Sequence, residues 1–347
     1  MVDQHFIARK RGPRLQSVLE KHPEYTGLGI DEKTAVVVKG RTLKVLGDST
    51  VTAVWAKSST KPVREDVLKT GAVMDLYQLR RTAHFRALSE PFPAKVANVP
   101  HVKNGSLVIV GGGGLPLQIT DKFFELAGGK DALIVVIPTA QDDPDADNHP
   151  EEKLFKRLGG TNVKTLHTRD RKQANDPEFS KLLLDAKGIW FGGGRQWRFV
   201  DAYEGTLVEK RFREVLERGG VIGGTSAGAS IQSDYMPRGH PLGNTVVSTE
   251  GYERGFGFLP GCAVDQHFFA RKRTQDMTGI MKLYPQILGI GIDEATAIVV
   301  KGSIAEVIGK TKVGFYDYRN GAPQGETDYT EVPTGEKYDL KERKLVK

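Results

Sequence analysis

From about residue 105 the chain alternates short apolar runs with stretches of helical spacing. Leu107-Val108-Ile109-Val110 runs into Gly111-Gly112-Gly113-Gly114, and Phe123, Phe124 and Leu126 follow on a helical period. Ala132 to Ile137 is a second apolar run, stopped by Pro138. Helical spacing returns from Lys153 to Leu158, and Asn162 to Leu166 predicts a further strand. Gly188-Ile189-Trp190-Phe191 enters Gly192-Gly193-Gly194. Leu207 to Arg218 is an amphipathic helix ended by Gly219-Gly220, and Val221-Ile222-Gly223-Gly224 leads to a sharp turn. Strands alternating with helices predict an α/β fold with a mostly parallel sheet flanked by helices. Ligands then bind beyond the carboxyl ends of the strands, the edge on which the glycine-rich turns fall. Later the pattern changes. Val246-Val247, Ala263-Val264, Ala297 to Val300, Val307-Ile308 and Thr311 to Tyr316 predict strands joined by turns, an antiparallel C-terminal region that continues into the polar tail.

A long repeat overlies this pattern. Asp3-Gln4-His5-Phe6-Ile7-Ala8-Arg9-Lys10-Arg11 returns as Asp265-Gln266-His267-Phe268-Phe269-Ala270-Arg271-Lys272-Arg273, and Gly29-Ile30-Asp31-Glu32 returns as Gly291-Ile292-Asp293-Glu294. The spacing is that of a whole domain. Residues 1–81 therefore read as a partial repeat of the C-terminal third of a domain. Residues 82–103, with Pro91, Pro93 and Pro100, read as a linker, and residues 104–347 as one complete copy. Either a tandem protein lacks the front of its first copy, or the extra segment completes a partner chain. Truncation is the preferred explanation. The segment is expected to pack poorly alone, because the strands that would flank its own are absent.

Composition narrows the function classes. Among 347 residues 39% are hydrophobic and 27% charged, enough for a packed core. The net charge is +7, but the basic residues are scattered and no nucleic-acid-reading motif accompanies them, so neither nucleic acid nor a membrane is an expected partner. One cysteine, Cys262, excludes an intramolecular disulfide framework. The start Met1-Val2-Asp3-Gln4-His5-Phe6 has no leader pattern, which gives a cytoplasmic expectation, weakened if the first copy is truncated. No histidine cluster has ligand spacing, so no metal and no cofactor are expected.

The chemistry concentrates at Gly224-Thr225-Ser226-Ala227-Gly228, which fits G-x-S-x-G after a predicted strand. A serine on such a turn stands clear of the sheet, and the Ala227 N–H faces a developing oxyanion. His267, 41 positions on, is the leading base, and Gly192-Gly193-Gly194 supplies a second oxyanion donor.

These residues resemble a known family. The Gly-Thr-Ser-Ala-Gly-Ala elbow, Phe191-Gly192-Gly193-Gly194-Arg195-Gln196, Phe258-Leu259-Pro260-Gly261, Asp265-Gln266-His267-Phe268 and Gly291-Ile292-Asp293-Glu294 look like cyanophycinase and its relatives, peptidase family S51. The resemblance implies a flavodoxin-like (class I glutamine amidotransferase-like) fold, a homodimer and a serine exopeptidase that hydrolyses β-aspartyl or aspartyl-arginine peptides, cyanophycin among them, through an acyl-enzyme. It carries Ser226 over as nucleophile, His267 as base, Gly193, Gly194 and Ala227 as oxyanion donors, and Gln196, Asp265, Gln266, Arg271 and Arg273 as substrate contacts. Asp265 would hold a substrate cation and the arginines its carboxylates. Two departures stand out. The family's acid is expected near Leu242-Gly243-Asn244, where there is no carboxylate. Glu250 is the preferred substitute, with Asp234 or Asn244 as alternatives. Asp276 stands where the family's pocket has a third basic residue, with Arg14 at the equivalent place in the partial repeat, and would repel a substrate carboxylate. Asp293-Glu294 is expected to be structural, since it recurs as Asp31-Glu32 without a serine elbow.

Rival readings carry less. Gly111-x-Gly113 suggests dinucleotide binding, but Pro116 replaces the third glycine and no acid closes the second strand. Cys262 is far from the elbow, against a cysteine amidase. A catalytically weak or inactive S51-like binding protein is the main alternative, motivated by the missing acid.

Overall fold

The computed structural model describes residues 1–142 and 149–346. The chain divides into two compact units, one of Met1–Lys95 with His240–Glu253, the other of Val96–Gly239 with Arg254–Lys347. Among the described residues no helix is long and apolar enough to cross a membrane.

In the larger unit, apolar runs become strands buried on both faces. Leu107 to Val110 and Ile134 to Ile137 are fully buried. Five parallel strands lie in the order Val163–Thr165, Ile134–Ile137, Gly188–Phe191, Val221–Thr225, Val102–Val110. Thr296–Gly302 then adds antiparallel to Val102–Val110 and extends the sheet through Ile304–Gly309 and Lys337–Asp339. Leu117–Ala127 is a helix because Ile119, Phe123, Phe124 and Ala127 recur on one buried face. Gly128, at φ 97°, ends it, and the Gly129 N–H bonds the Phe124 carbonyl. Phe123 and Phe155 meet Trp190 edge-on, at centroid distances of 5.0 and 5.1 Å. Each such pair contributes about 0.5–1.5 kcal/mol beyond its buried area.

A second sheet of this unit has the order Ser233–Tyr235, Leu259–Gln266, Leu288–Ile292, Lys312–Asp317, Thr330–Pro333. Its first three strands are parallel, so the C-terminal region is mixed rather than antiparallel throughout. The expected strand at Val246-Val247 does not form: those residues lie in irregular chain, and Val246 is exposed. Two adjacent valines with polar neighbours carry no alternation to distinguish strand from loop.

The smaller unit has a core of its own, contrary to the expectation of poor packing. Leu19, Val45, Val51, Val54 and Trp55 are fully buried. Its strand registers repeat those of the larger unit. Gly27 pairs with Val54 as Gly289 pairs with Tyr316, and Thr34 with Gly47 as Thr296 with Gly309. One pairing differs. Thr34–Lys39 pairs on one side with Thr42–Gly47, leaving Val37 and Val38 exposed, whereas Thr296–Gly302 is paired on both sides.

Candidate active site

Ser226 follows the strand Val221–Thr225 and precedes the short helix Ala227–Ser230. Its backbone sits at φ 55°, ψ −110°, a region that non-glycine residues occupy only under constraint. The flanking glycines permit it: a Cβ on Gly224 would fall 2.4 Å from the Gly228 carbonyl oxygen, and one on Gly228 2.1 Å from that of Phe191. The Ser226 N–H donates to the Val110 carbonyl, which pins the turn to the neighbouring strand.

His267 lies just past the strand Leu259–Gln266, also at positive φ, 51°. Its N–H donates to the Gly111 carbonyl at 2.6 Å. Its Nε2 is 3.0 Å from Ser226 Oγ, and its Nδ1 is 2.6 Å from Glu294 Oε1. Burial holds the imidazole below its ordinary value of 6.5; the opposing hydrogen bond that it donates to Glu294 offsets this in part. The ring is therefore neutral at neutral pH and able to take a proton. Asp293 Oδ1 accepts the N–H groups of Phe269 and Ala270 and fixes the turn after the histidine.

The glycines after Val110 make room for this pair. A Cβ on Gly112 would lie 2.3 Å from His267 Cε1, and one on Gly113 2.4 Å from Glu294 Cβ. What read as a weak cofactor loop is the wall against which His267 and Glu294 pack. The cleft here, about 460 Å³, is lined by Gly112 to Leu115, Leu154, Thr225, Ser226 and His267.

Glu250 does not fill the place expected of it. The position beside Nδ1 is taken by Glu294, and the Glu250 carboxylate is committed to Lys61, Arg64 and Arg86 of the smaller unit, at 2.7, 2.9 and 3.0 Å. Asp234 accepts the Gly261 N–H instead, and Asn244 belongs to the segment counted with the smaller unit. The expected structural role of Asp293-Glu294 therefore fits Asp293 but not Glu294. The order serine, histidine, acid was missed because the acid was sought between the other two. The repeat held a signal, since His5 Nδ1 stands 3.1 Å from Glu32 Oε1 in the same relation.

Gly193 faces the serine: a Cβ there would be 3.7 Å from Ser226 Cβ. Its N–H donates to Glu151 Oε1 at 3.2 Å. Gly194, at φ 134° and packed on the Ala140 carbonyl, shapes the turn, and Ala227 opens the helix after the serine. Of the expected substrate contacts, most are engaged with one another. Asp265 is 1% exposed and lies between Arg238 and Arg273, both near 3.1 Å. Gln266 Oε1 accepts from Arg273, and Gln196 Nε2 donates to the carbonyls of Pro237 and Arg238. Asp265 is thus neutralised from within rather than open to a substrate cation. Asp276 is paired with Arg238, which tempers its expected repulsion of a carboxylate. Arg271 is exposed, one turn past His267.

A hydroxyl, an imidazole and a carboxylate bonded in series at the carboxyl edge of a parallel sheet form the arrangement used by acyl-transfer hydrolases. The sequence matches the model of Peptidase family S51 over residues 94–308, and the chain belongs to that family. It is 34% identical over 203 residues to a cyanophycinase of Geminocystis herdmanii, covering 58% of this chain and 75% of that protein. It is 31% identical over 268 residues to a cyanophycinase of Synechococcus elongatus, covering 75% and 82%. A solved structure of a peptidase from an acI-B1 Actinobacterium is 26% identical with a TM-score of 0.52, covering 70% of this chain and 98% of its own.

Proposed function

We propose that this chain is a serine peptidase of the cyanophycinase type, with a flavodoxin-like arrangement of its larger unit, that hydrolyses β-aspartyl or aspartyl-arginine peptides through an acyl-enzyme. The observation that carries the reading is the series Ser226 Oγ–His267 Nε2 at 3.0 Å and His267 Nδ1–Glu294 Oε1 at 2.6 Å. Ser226 Oγ attacks the scissile carbonyl while His267 takes its proton and then gives it to the leaving amine. Glu294 holds the imidazole in the required tautomer and stabilises the imidazolium. The N–H groups of Gly193 and Ala227 receive the oxyanion. Water, activated by the same histidine, releases the acyl group. Arg271 is the exposed cation beside the histidine and suits the free carboxylate of an aspartyl substrate. We also propose that residues 1–81 descend from a copy of the C-terminal third, as the repeated registers suggest.

A panel of β-Asp-Arg polymer, β-Asp-Lys and α-Asp dipeptides, assayed with wild type and Ser226→Ala, tests this. Hydrolysis of an aspartyl peptide that disappears in the variant is expected. Failure on every substrate, together with no fluorophosphonate adduct on Ser226, leaves the inactive binding protein as the better reading. Its motive, a missing acid, is weakened by Glu294.

A further inference from the structure

The Gly193 N–H, one of the expected oxyanion donors, is already occupied. We propose that Glu151 gates it: the side chain holds this N–H in the resting molecule and must yield it, by carrying a proton, before an oxyanion forms there. This rests on the roles given above to Ser226 and Gly193.

The glycine turn lies between the two side chains. A Cβ on Gly192 would fall 2.4 Å from Glu151 Oε2, and one on Gly193 would reach Ser226 Cβ. Glu151 stands in the first turn of the helix Pro150–Arg157. His149, fully buried, precedes that helix; its Nδ1 accepts the Glu151 N–H and lies 3.3 Å from Glu151 Oε2. With its lone pair turned to the Glu151 amide, the His149 Nδ1 donates nothing to Oε2, which is buried with no hydrogen-bond donor among the described residues; a carboxylate oxygen left this way favours the protonated form. Burial pushes the Glu151 carboxyl up to about 7, against the pull of the Gly193 hydrogen bond. Among the described residues, the neighbouring charges are directed elsewhere. Glu152 pairs with Lys156 and Thr165, Lys153 is exposed, and Arg195 on the glycine turn is governed by burial, Arg198 and Asp142.

The consequence is a competition. When Ser226 Oγ bonds to the carbonyl carbon, its proton passes to His267 Nε2 and the carbonyl electron pair moves onto oxygen. That oxygen needs the Gly193 N–H. A neutral carboxyl is a weak acceptor and releases the N–H; an ionised one holds it by a charge-assisted bond and repels the incoming charge.

The test is the rate at which a fluorophosphonate labels Ser226, from about pH 5 to about pH 9, in wild type, Glu151→Gln and Glu151→Ala, with thermal melting alongside. The wild-type rate should rise as His267 loses its proton and fall above the Glu151 value of about 7. One unit above that value, Glu151→Gln should be roughly tenfold faster than wild type and show no fall. A wild-type rate without an alkaline fall overturns the gate, whatever the variants do. So does the same fall in a folded Gln or Ala variant. No labelling of wild type at any pH removes the serine reading itself, and the gate with it.

Discussion

His267 Nε2 stands 3.0 Å from Ser226 Oγ although each residue comes from a different sheet of the larger unit. The bond is set by backbone, since both residues sit at positive φ and both bond through N–H to the segment Val110–Gly111. Replacing either partner should leave the fold intact and reduce kcat by about 10⁴-fold or more. Thermal melting and aspartyl peptide hydrolysis, measured on the same samples, check both halves of this.

Glu294 and Glu250 are predicted to separate cleanly. Glu294→Gln keeps the shape but loses the charge that favours the imidazolium, so kcat should fall by about 10²–10⁴-fold with little change in KM. Glu250→Gln should leave kcat within about twofold, since its carboxylate serves the smaller unit.

The same Glu250 sets an acid limit on that unit. It is half-buried; burial raises its carboxyl, but Lys61, Arg86 and Arg64 outweigh this and hold it below 4.5. Its folded-state value is depressed, so its contribution is present above 4.5 and is lost as pH falls through the lower folded value. Urea unfolding should show this acid loss in wild type and a flatter profile in Glu250→Gln. Glu250→Ala, which strips the 5%-exposed Arg86 of its carboxylate, should cost about 2 kcal/mol.

Peptidase activity should climb with pH along a limb centred below 6.5, because burial disfavours the charged form of His267 and the neutral ring is the proposed base. In Glu294→Gln the limb should move to still lower pH, as the group favouring the imidazolium is gone. A kcat/KM profile of both proteins decides this. A limb above 6.5 in wild type contradicts it.

Gly112→Ala places a methyl 2.3 Å from the His267 ring at a residue with φ 95°. Displacement of the ring should lower the labelling rate of Ser226 by about 10²-fold. Arg271→Ala, by contrast, should raise KM for aspartyl substrates about tenfold at nearly constant kcat, the cost of one exposed charge-assisted contact.

Ser226 was legible in the sequence because its constraint is local: a strand, a turn and two glycines within five residues. His267 was legible as a histidine after an apolar strand. Glu294 was not, because nothing local distinguishes a carboxylate at a strand end that orients a histidine from one that caps a turn, and here adjacent residues do one each. The glycines at 111–114 were visible, but what they pack against is decided by strand order. Parallel strands in the first half followed from buried apolar runs. The parallel pairing of Leu259–Gln266 with Leu288–Ile292 did not, since Leu288–Ile292 was not among the expected strands and the ten-residue helix of mixed polarity between the two gave no sign of a crossover.

The pair His5–Glu32 gives the molecule an internal reference. It repeats the bend and the imidazole–carboxylate contact of His267–Glu294, but its ring is 37% exposed. Nuclear magnetic resonance titration of the two rings in one sample subtracts everything the twin bends share, and the remainder is what seclusion beside a hydroxyl does to a histidine.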